Sequence, residues 1–279
     1  IIMFGVGVAR STLFILYAKY KYKIITAWKY YRDKAKYKEI LAFSGWTMMG
    51  AAGHVGRSTG SQIIINYFFG TLVNAPFGIA NRINHFLLTF TNSLSQATVP
   101  QIIKSFSGGN NDRTLNLVAY LSKYSFFLLY LISLPLLLEM DFILKIWLGE
   151  VPEYTAIFCR LTIINSLIFS LGAGSPAAIQ ASGKIKWFQI INSSILILGL
   201  PLSFLLFKLG FQPYAILIVY MFIAVINRVI SLVLMYNIVN FNVPYLLKTS
   251  YLKISIVFIL TLPLFFLRSF FSESISRFV

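Results

Sequence analysis

The stretch PYAILIVYMFIAVINRVISLVLMYNI, residues 213–238, decides the fold class. Its one fixed charge is Arg228. At about 1.5 Å per residue, a helix of this length reaches roughly 39 Å, more than the ~30 Å hydrocarbon core of a bilayer. Lipid offers backbone groups no hydrogen-bond partner, so such a run predicts a spanning helix. Working outward, comparable runs occur at 187–208, 154–181, 117–145, 72–99 and 40–66, and downstream at 251–270. The opening residues, 1–18, read as the tail of one more, so the chain reads as a piece of a longer protein. The predicted fold class is an all-α polytopic membrane bundle.

Composition points the same way. The chain has 279 residues, of which 58% are hydrophobic and 11% charged. Soluble domains carry about 25% charged residues, so a soluble globule, a disordered chain and a coiled coil are excluded. The 24 basic residues against 8 acidic ones would suggest nucleic acid in a soluble protein. Here their placement reads as membrane topology, and no nucleic-acid partner is expected. The lone cysteine, Cys159, rules out an internal disulfide. The two histidines, His54 and His85, are too few for a zinc cage. Gly183-Lys184 is followed by Ile185 where a nucleotide-binding loop needs Ser or Thr. No cofactor, metal or catalytic triad is expected.

Basic residues set the orientation. Residues 19–39 hold Lys19, Lys21, Lys23, Lys29, Arg32, Lys34, Lys36 and Lys38. Every second connection thereafter is basic too, through Lys104, Arg113, Lys123, Lys184, Lys186, Lys248 and Lys253. The alternate connections are poor in charge, and the one at 145–154 adds Glu150 and Glu153. The basic side is therefore expected in the cytoplasm. Within 17–38, Tyr17, Tyr20, Tyr22, Trp28, Tyr30, Tyr31 and Tyr37 alternate with the lysines. Rings and cations both sit well at headgroup level, so anionic lipids are expected partners of this linker.

Three arginines, Arg57, Arg82 and Arg228, fall deep inside predicted spans, and no carboxylate lies as deep. Charges at that depth normally face protein or water and mark a pathway. On 72–99, Gly78, Arg82, His85, Thr89, Asn92 and Gln96 recur at spacings of 4, 3, 4, 3 and 4, one stripe of a helix. On 40–66, Thr47, Gly50, Gly53, His54, Arg57, Gly60 and Ser61 share a broad arc, with Gly56 and Gly60 forming a GxxxG pair beside it. With a turn at 66–72, Arg57 and Arg82 are expected at one depth, about 14–15 Å from the outer helix ends. The candidate substrate-binding residues are Arg57, Arg82, His54, His85, Asn92, Gln96 and Arg228. The small and hydroxyl residues equally suit ordinary helix packing. Pro76, Pro135, Pro176 and Pro201 are candidate kinks. The run 107–113 reads as a helix stop followed by an Asn cap.

Several runs then point to a family. Phe43-Ser44-Gly45-Trp46 opens the first complete span, followed by Asn66-Tyr67-Phe68-Phe69-Gly70 and by Asn74-Ala75-Pro76-Phe77-Gly78-Ile79-Ala80-Asn81-Arg82-Ile83-Asn84. Pro100-Gln101-Ile102-Ile103-Lys104-Ser105 comes next, then Trp147-Leu148-Gly149 with Val151-Pro152-Glu153-Tyr154, and Gln180-Ala181-Ser182-Gly183-Lys184-Ile185-Lys186. This series resembles the O-antigen-type polysaccharide flippases of the multidrug/oligosaccharidyl-lipid/polysaccharide exporter superfamily, from about 40 to 190. The chain departs from relatives at Pro76 and Arg82, where a small residue and Gln are frequent.

The resemblance implies two six-helix lobes around a central cavity. Residues 1–18 would end the first lobe's last helix, and 19–39 would be a basic, aromatic cytoplasmic linker. Residues 40–238 would form the second lobe, and 239–279 a loop and an additional spanning helix. It further implies a non-enzymatic transporter in the bacterial inner membrane. Such a protein moves an undecaprenyl-pyrophosphate-linked oligosaccharide outward by alternating access. Competing expectations are an ion-coupled multidrug exporter of the same fold, a membrane enzyme of polysaccharide assembly, and a structural subunit. Drug cations would want deep carboxylates, an enzyme would want a long outer loop, and a structural subunit would not explain aligned polar stripes.

Overall fold

A computed structural model describes residues 2–22 and 33–267, with side chains described from 5 to 21 and from 33 to 264. The aromatic and basic residues at 23–32, including Lys23, Trp28, Lys29, Tyr30, Tyr31 and Arg32, lie outside the described residues, as do 268–279. The described chain is all-helical, and six of its helical segments are long and apolar enough to cross a membrane. By length and composition this is a multi-pass membrane protein. It divides into two compact units, residues 1–41 and 42–279.

The first unit holds α1 (Ile2–Tyr22) and the opening turns of α2 (Lys34–Ser107). Lys19 and Lys21 form the last turn of α1, and Lys34, Lys36 and Lys38 are already helical in α2. The expected linker 19–39 is therefore largely helix at both ends. Asp33 explains where α2 starts, because its carboxylate accepts the Ala35 and Lys36 backbone N–H groups at 3.1 and 3.2 Å.

In the second unit, α2 is interrupted once, at Gly70 (φ 72°, ψ −171°), a conformation that only glycine adopts without strain. A straight helix would hold His54 and Leu88 about 51 Å apart, yet both line one cavity, so the chain folds back at Gly70. The turn expected at 66–72 is thus a single residue. Arg57 and Arg82 lie 13 and 12 residues from it, about 20 and 18 Å along their helices, deeper than the sequence suggests because helix continues to the turn.

The spans that follow also differ from expectation at their ends. Span 117–145 is α3 (Asn111–Leu138), a break at Glu139, and α4 (Met140–Leu148). Span 154–181 is α5 (Thr155–Ser170) and α6 (Ser175–Ala181), parted at residues 171–174, and Pro176 opens α6 rather than kinking a helix. Next come α7 (Lys186–Lys208) and α8 (Ala215–Val239). Residues 239–253, expected as a loop, are mostly α9 (Val243–Leu246) and a π-helical turn (Leu247–Tyr251), leading into α10 (Leu252–Leu267). The stop-and-start at 107–113 is as expected. Gly109 has φ 73°, and the Asn110 side chain accepts the Arg113 backbone N–H at 3.0 Å.

Two apolar cores sit toward opposite helix ends. One gathers Ile65, Phe77, Phe158 and Ile216 near the Gly70 end, the other Ile102, Val118, Ile179 and Met235 near the Asn110 end. On α8, Phe222, Val225, Ile226 and Val229 are exposed while Ser231 is buried, the distribution expected where lipid is the solvent. The seam between α2 and α7 is made by glycine. A Cβ on Gly53 would lie 3.0 Å from the Ser193 Cα, and one on Gly60 would lie 2.7 Å from a Leu200 methyl. The expected Gly56–Gly60 pair is not the contact, because Gly56 has open space beside it and the seam runs through Gly50, Gly53 and Gly60.

Candidate functional site

The second unit encloses two polar cavities. The larger, about 420 Å³, is walled by both halves of α2 and by α5 to α8. The smaller, about 200 Å³, lies between the halves of α2, α5 and α8, closer to Gly70. They meet at His54, Leu88, Ser166 and Phe169, which line both. No Asp or Glu among the described residues lines either.

Arg57 belongs to the smaller cavity. Its guanidinium carbon stands 4.3 Å from the centre of the Tyr220 ring, and the Tyr220 and Ser61 hydroxyls hydrogen-bond at 3.2 Å. Around it the polar atoms are under-used. Asn81 Nδ2, Asn165 Nδ2 and Thr162 Oγ1 are buried without a hydrogen-bond partner. Buried polar groups are normally paired, so these atoms mark a place that takes up a polar guest or water. Asn84 is tied to the wall, its Oδ1 accepting from the Ser166 hydroxyl at 2.7 Å.

Arg228 belongs to the larger cavity. It donates from Nη2 to Ser175 Oγ at 2.8 Å, and its guanidinium lies 5.7 Å from the Tyr251 ring centre. Its Nε is buried without a partner. Gly172 makes the space, since a Cβ there would fall 2.1 Å from Nη1. Tyr251 is held by donating to the Leu171 carbonyl at 3.0 Å. Beside Arg228, Asn227 donates to Asn192, which together with Gln189 brings α7 into the wall.

The stripe read on 72–99 is out of phase by one residue. The row that lines the cavities is Phe77, Asn81, Asn84, Leu88, Thr91 and Ser95, spaced 4, 3, 4, 3 and 4. The expected row lies one residue on, a rotation of about 100°. His85 and Asn92 stand at the margin, lining the smaller and larger cavities respectively. Arg82, Thr89 and Gln96 are exposed on the adjoining face and line neither cavity. Of the seven candidates, the structure gathers Arg57, His54, His85, Asn92 and Arg228 around the joined cavities and leaves Arg82 and Gln96 beside them. Sequence reading missed Asn81, Asn84, Thr162, Asn165, Ser166, Gln189 and Asn192. For most of them the signal was the same as that of the residues found, a polar side chain within a span; Gln189 sits in the first turn of α7.

A further arginine, Arg160 on α5, stands outside these two cavities and is ion-paired with Asp141 of α4.

These features define a polytopic helical bundle whose apolar cores surround joined polar cavities lined by Arg57 and Arg228. No family model, curated protein or solved structure matches the chain.

Proposed function

We propose that this chain is the second lobe of a flippase that carries a lipid-pyrophosphate-linked oligosaccharide across the bacterial inner membrane by alternating access. The observation that carries this reading is the charge of the interior. Arg57 and Arg228 stand in joined polar cavities with no carboxylate lining either among the described residues. A pyrophosphate that must pass hydrocarbon needs such an environment, and a guanidinium supplies a planar fork of donors that stays protonated.

In this reading the exposed row of Arg82, Thr89 and Gln96 faces the translocation path. Hydrocarbon would be a costly neighbour for a mid-span arginine, so water or the head group covers it. Arg228, His54, His85 and Asn92 form the wall behind, and Arg57 adds positive potential from the smaller cavity. The basic loops lie in the cytoplasm, where the lipid-linked substrate is made, and the linker at 19–39 rests on anionic lipid. The protein acts as a transporter, with no cofactor and no covalent step.

Deletion of the full-length gene tests the reading. Lipid-linked oligosaccharide should accumulate on the inner leaflet and disappear from the outer one. Normal outer-leaflet levels after deletion would remove the proposal. An ion-coupled drug exporter of the same fold is the alternative; organic cations favour carboxylates, and none among the described residues lines either cavity.

A further inference from the structure

The smaller cavity is better built than a passage requires. Its unpartnered groups include two amide donors, Asn81 Nδ2 and Asn165 Nδ2, and Asn165 is only 7% exposed. Both line the chamber that Arg57 lines. A guanidinium whose contact is a ring face lacks a counter-charge, and a half-buried charge without one is unfavourable. Thr162, with its hydroxyl oxygen buried and unpartnered, lines the same chamber. Among the described residues that line the chamber, the one fixed charge is positive and no acid is present to neutralise it.

Charge narrows the guest. The chamber, about 200 Å³, is continuous with the larger cavity, so it is the lining and not the volume that selects. One guanidinium with neutral amides balances one negative charge. We propose that this chamber binds a single halide-sized inorganic anion between Arg57, Asn81 and Asn165, as a resident counter-ion that allows the arginine to remain inside the lobe. The assignment does not need the transport reading, but it bears on it: with an anion resident beside Arg57, the cavity charge left to meet a cargo is that of Arg228.

The test uses the purified full-length protein in detergent, with gluconate replaced by chloride or bromide at constant ionic strength and thermal unfolding as readout. The unfolding midpoint should rise saturably with either halide. Asn165→Leu should weaken half-saturation at least about 10-fold, and Arg57→Gln should abolish the response. Arg57→Lys, which keeps the charge if Gln prevents folding, should retain a saturable but weaker response. Arg228→Gln should leave the response in place. A wild-type protein indifferent to halide, or an unchanged response in Asn165→Leu and Arg57→Gln, would overturn the site. Inorganic pyrophosphate forms a second arm. Saturable stabilisation by pyrophosphate that depends on Arg57, with none by halide, would assign the chamber to the head group instead. Loss of oligosaccharide export on gene deletion bears only on the transport reading, so the two can fail separately.

Discussion

The Arg57 guanidinium lies over the Tyr220 ring at 4.3 Å, joining the first half of α2 to α8 across the smaller cavity. Cation–π contacts reach about 2 kcal/mol when desolvated. Tyr220→Leu should therefore lower stability by about 2 kcal/mol in detergent unfolding. Tyr220→Phe, which keeps the ring and loses only the contact to Ser61, should lose about 1 kcal/mol. Equal losses in both variants would show that the hydroxyl, and not the ring face, is what matters.

The glycine seam makes a paired prediction. Gly53→Ala places a Cβ against the Ser193 backbone, which cannot move aside without shifting α7, and should destabilise by about 1–3 kcal/mol. Gly56→Ala has open space and should be neutral or slightly stabilising. Thermal unfolding of the two single variants checks this, and the opposite order would place the seam on the other face.

The orientation is testable with one reagent. Cys159 is fully buried, so the native thiol is a silent background. A cysteine at Asn111 should resist an impermeant thiol reagent applied to intact cells, and one at Glu153 should react. The reverse labelling would invert the assignment made from the basic loops.

Arg82 separates a flippase from a cation exporter. Arg82→Lys keeps the charge without the bidentate fork and should retain partial sugar-lipid export. Arg82→Glu should abolish export, because a negative group at that depth repels a diphosphate. In a drug exporter Arg82→Glu would be tolerated or would raise dye efflux. Measuring both transports in both variants decides, and gained efflux with undiminished export would exclude the flippase.

The Gly172 gap beside Arg228 gives a further check. Gly172→Ala should displace the guanidinium from Ser175 and lower export several-fold at normal membrane abundance, while Ser175→Ala alone should do less. Export unchanged in Gly172→Ala would mean that Arg228 does not face the substrate.

By itself, the sequence determined that this is an all-helical membrane chain and where most spans run. Length and apolarity are properties of each segment alone, and 213–238 would insert whatever surrounds it. That Arg57 and Arg228 lie inside spans was equally legible, but the depth of Arg57 came out about 5 Å short because the helix runs on to Gly70. Helix ends were less legible. The breaks at Glu139 and at 171–174 do coincide with local signals, Glu139 and Asp141 in one and Gly172 and Gly174 in the other, but a span criterion averaged over about 20 residues passes over them. The phase of the second half of α2 was decided only by tertiary structure. Asn81, Asn84, Thr91 and Ser95 form as good a polar row as Arg82, His85, Thr89, Asn92 and Gln96, and periodicity cannot rank two rows 100° apart. The Ser166–Asn84 hydrogen bond and the Phe77–Phe158 ring contact turn the first row inward, leaving the second on the exposed face. Which polar residues share a cavity is thus a consequence of helix rotation, and helix rotation is set by partners distant in sequence.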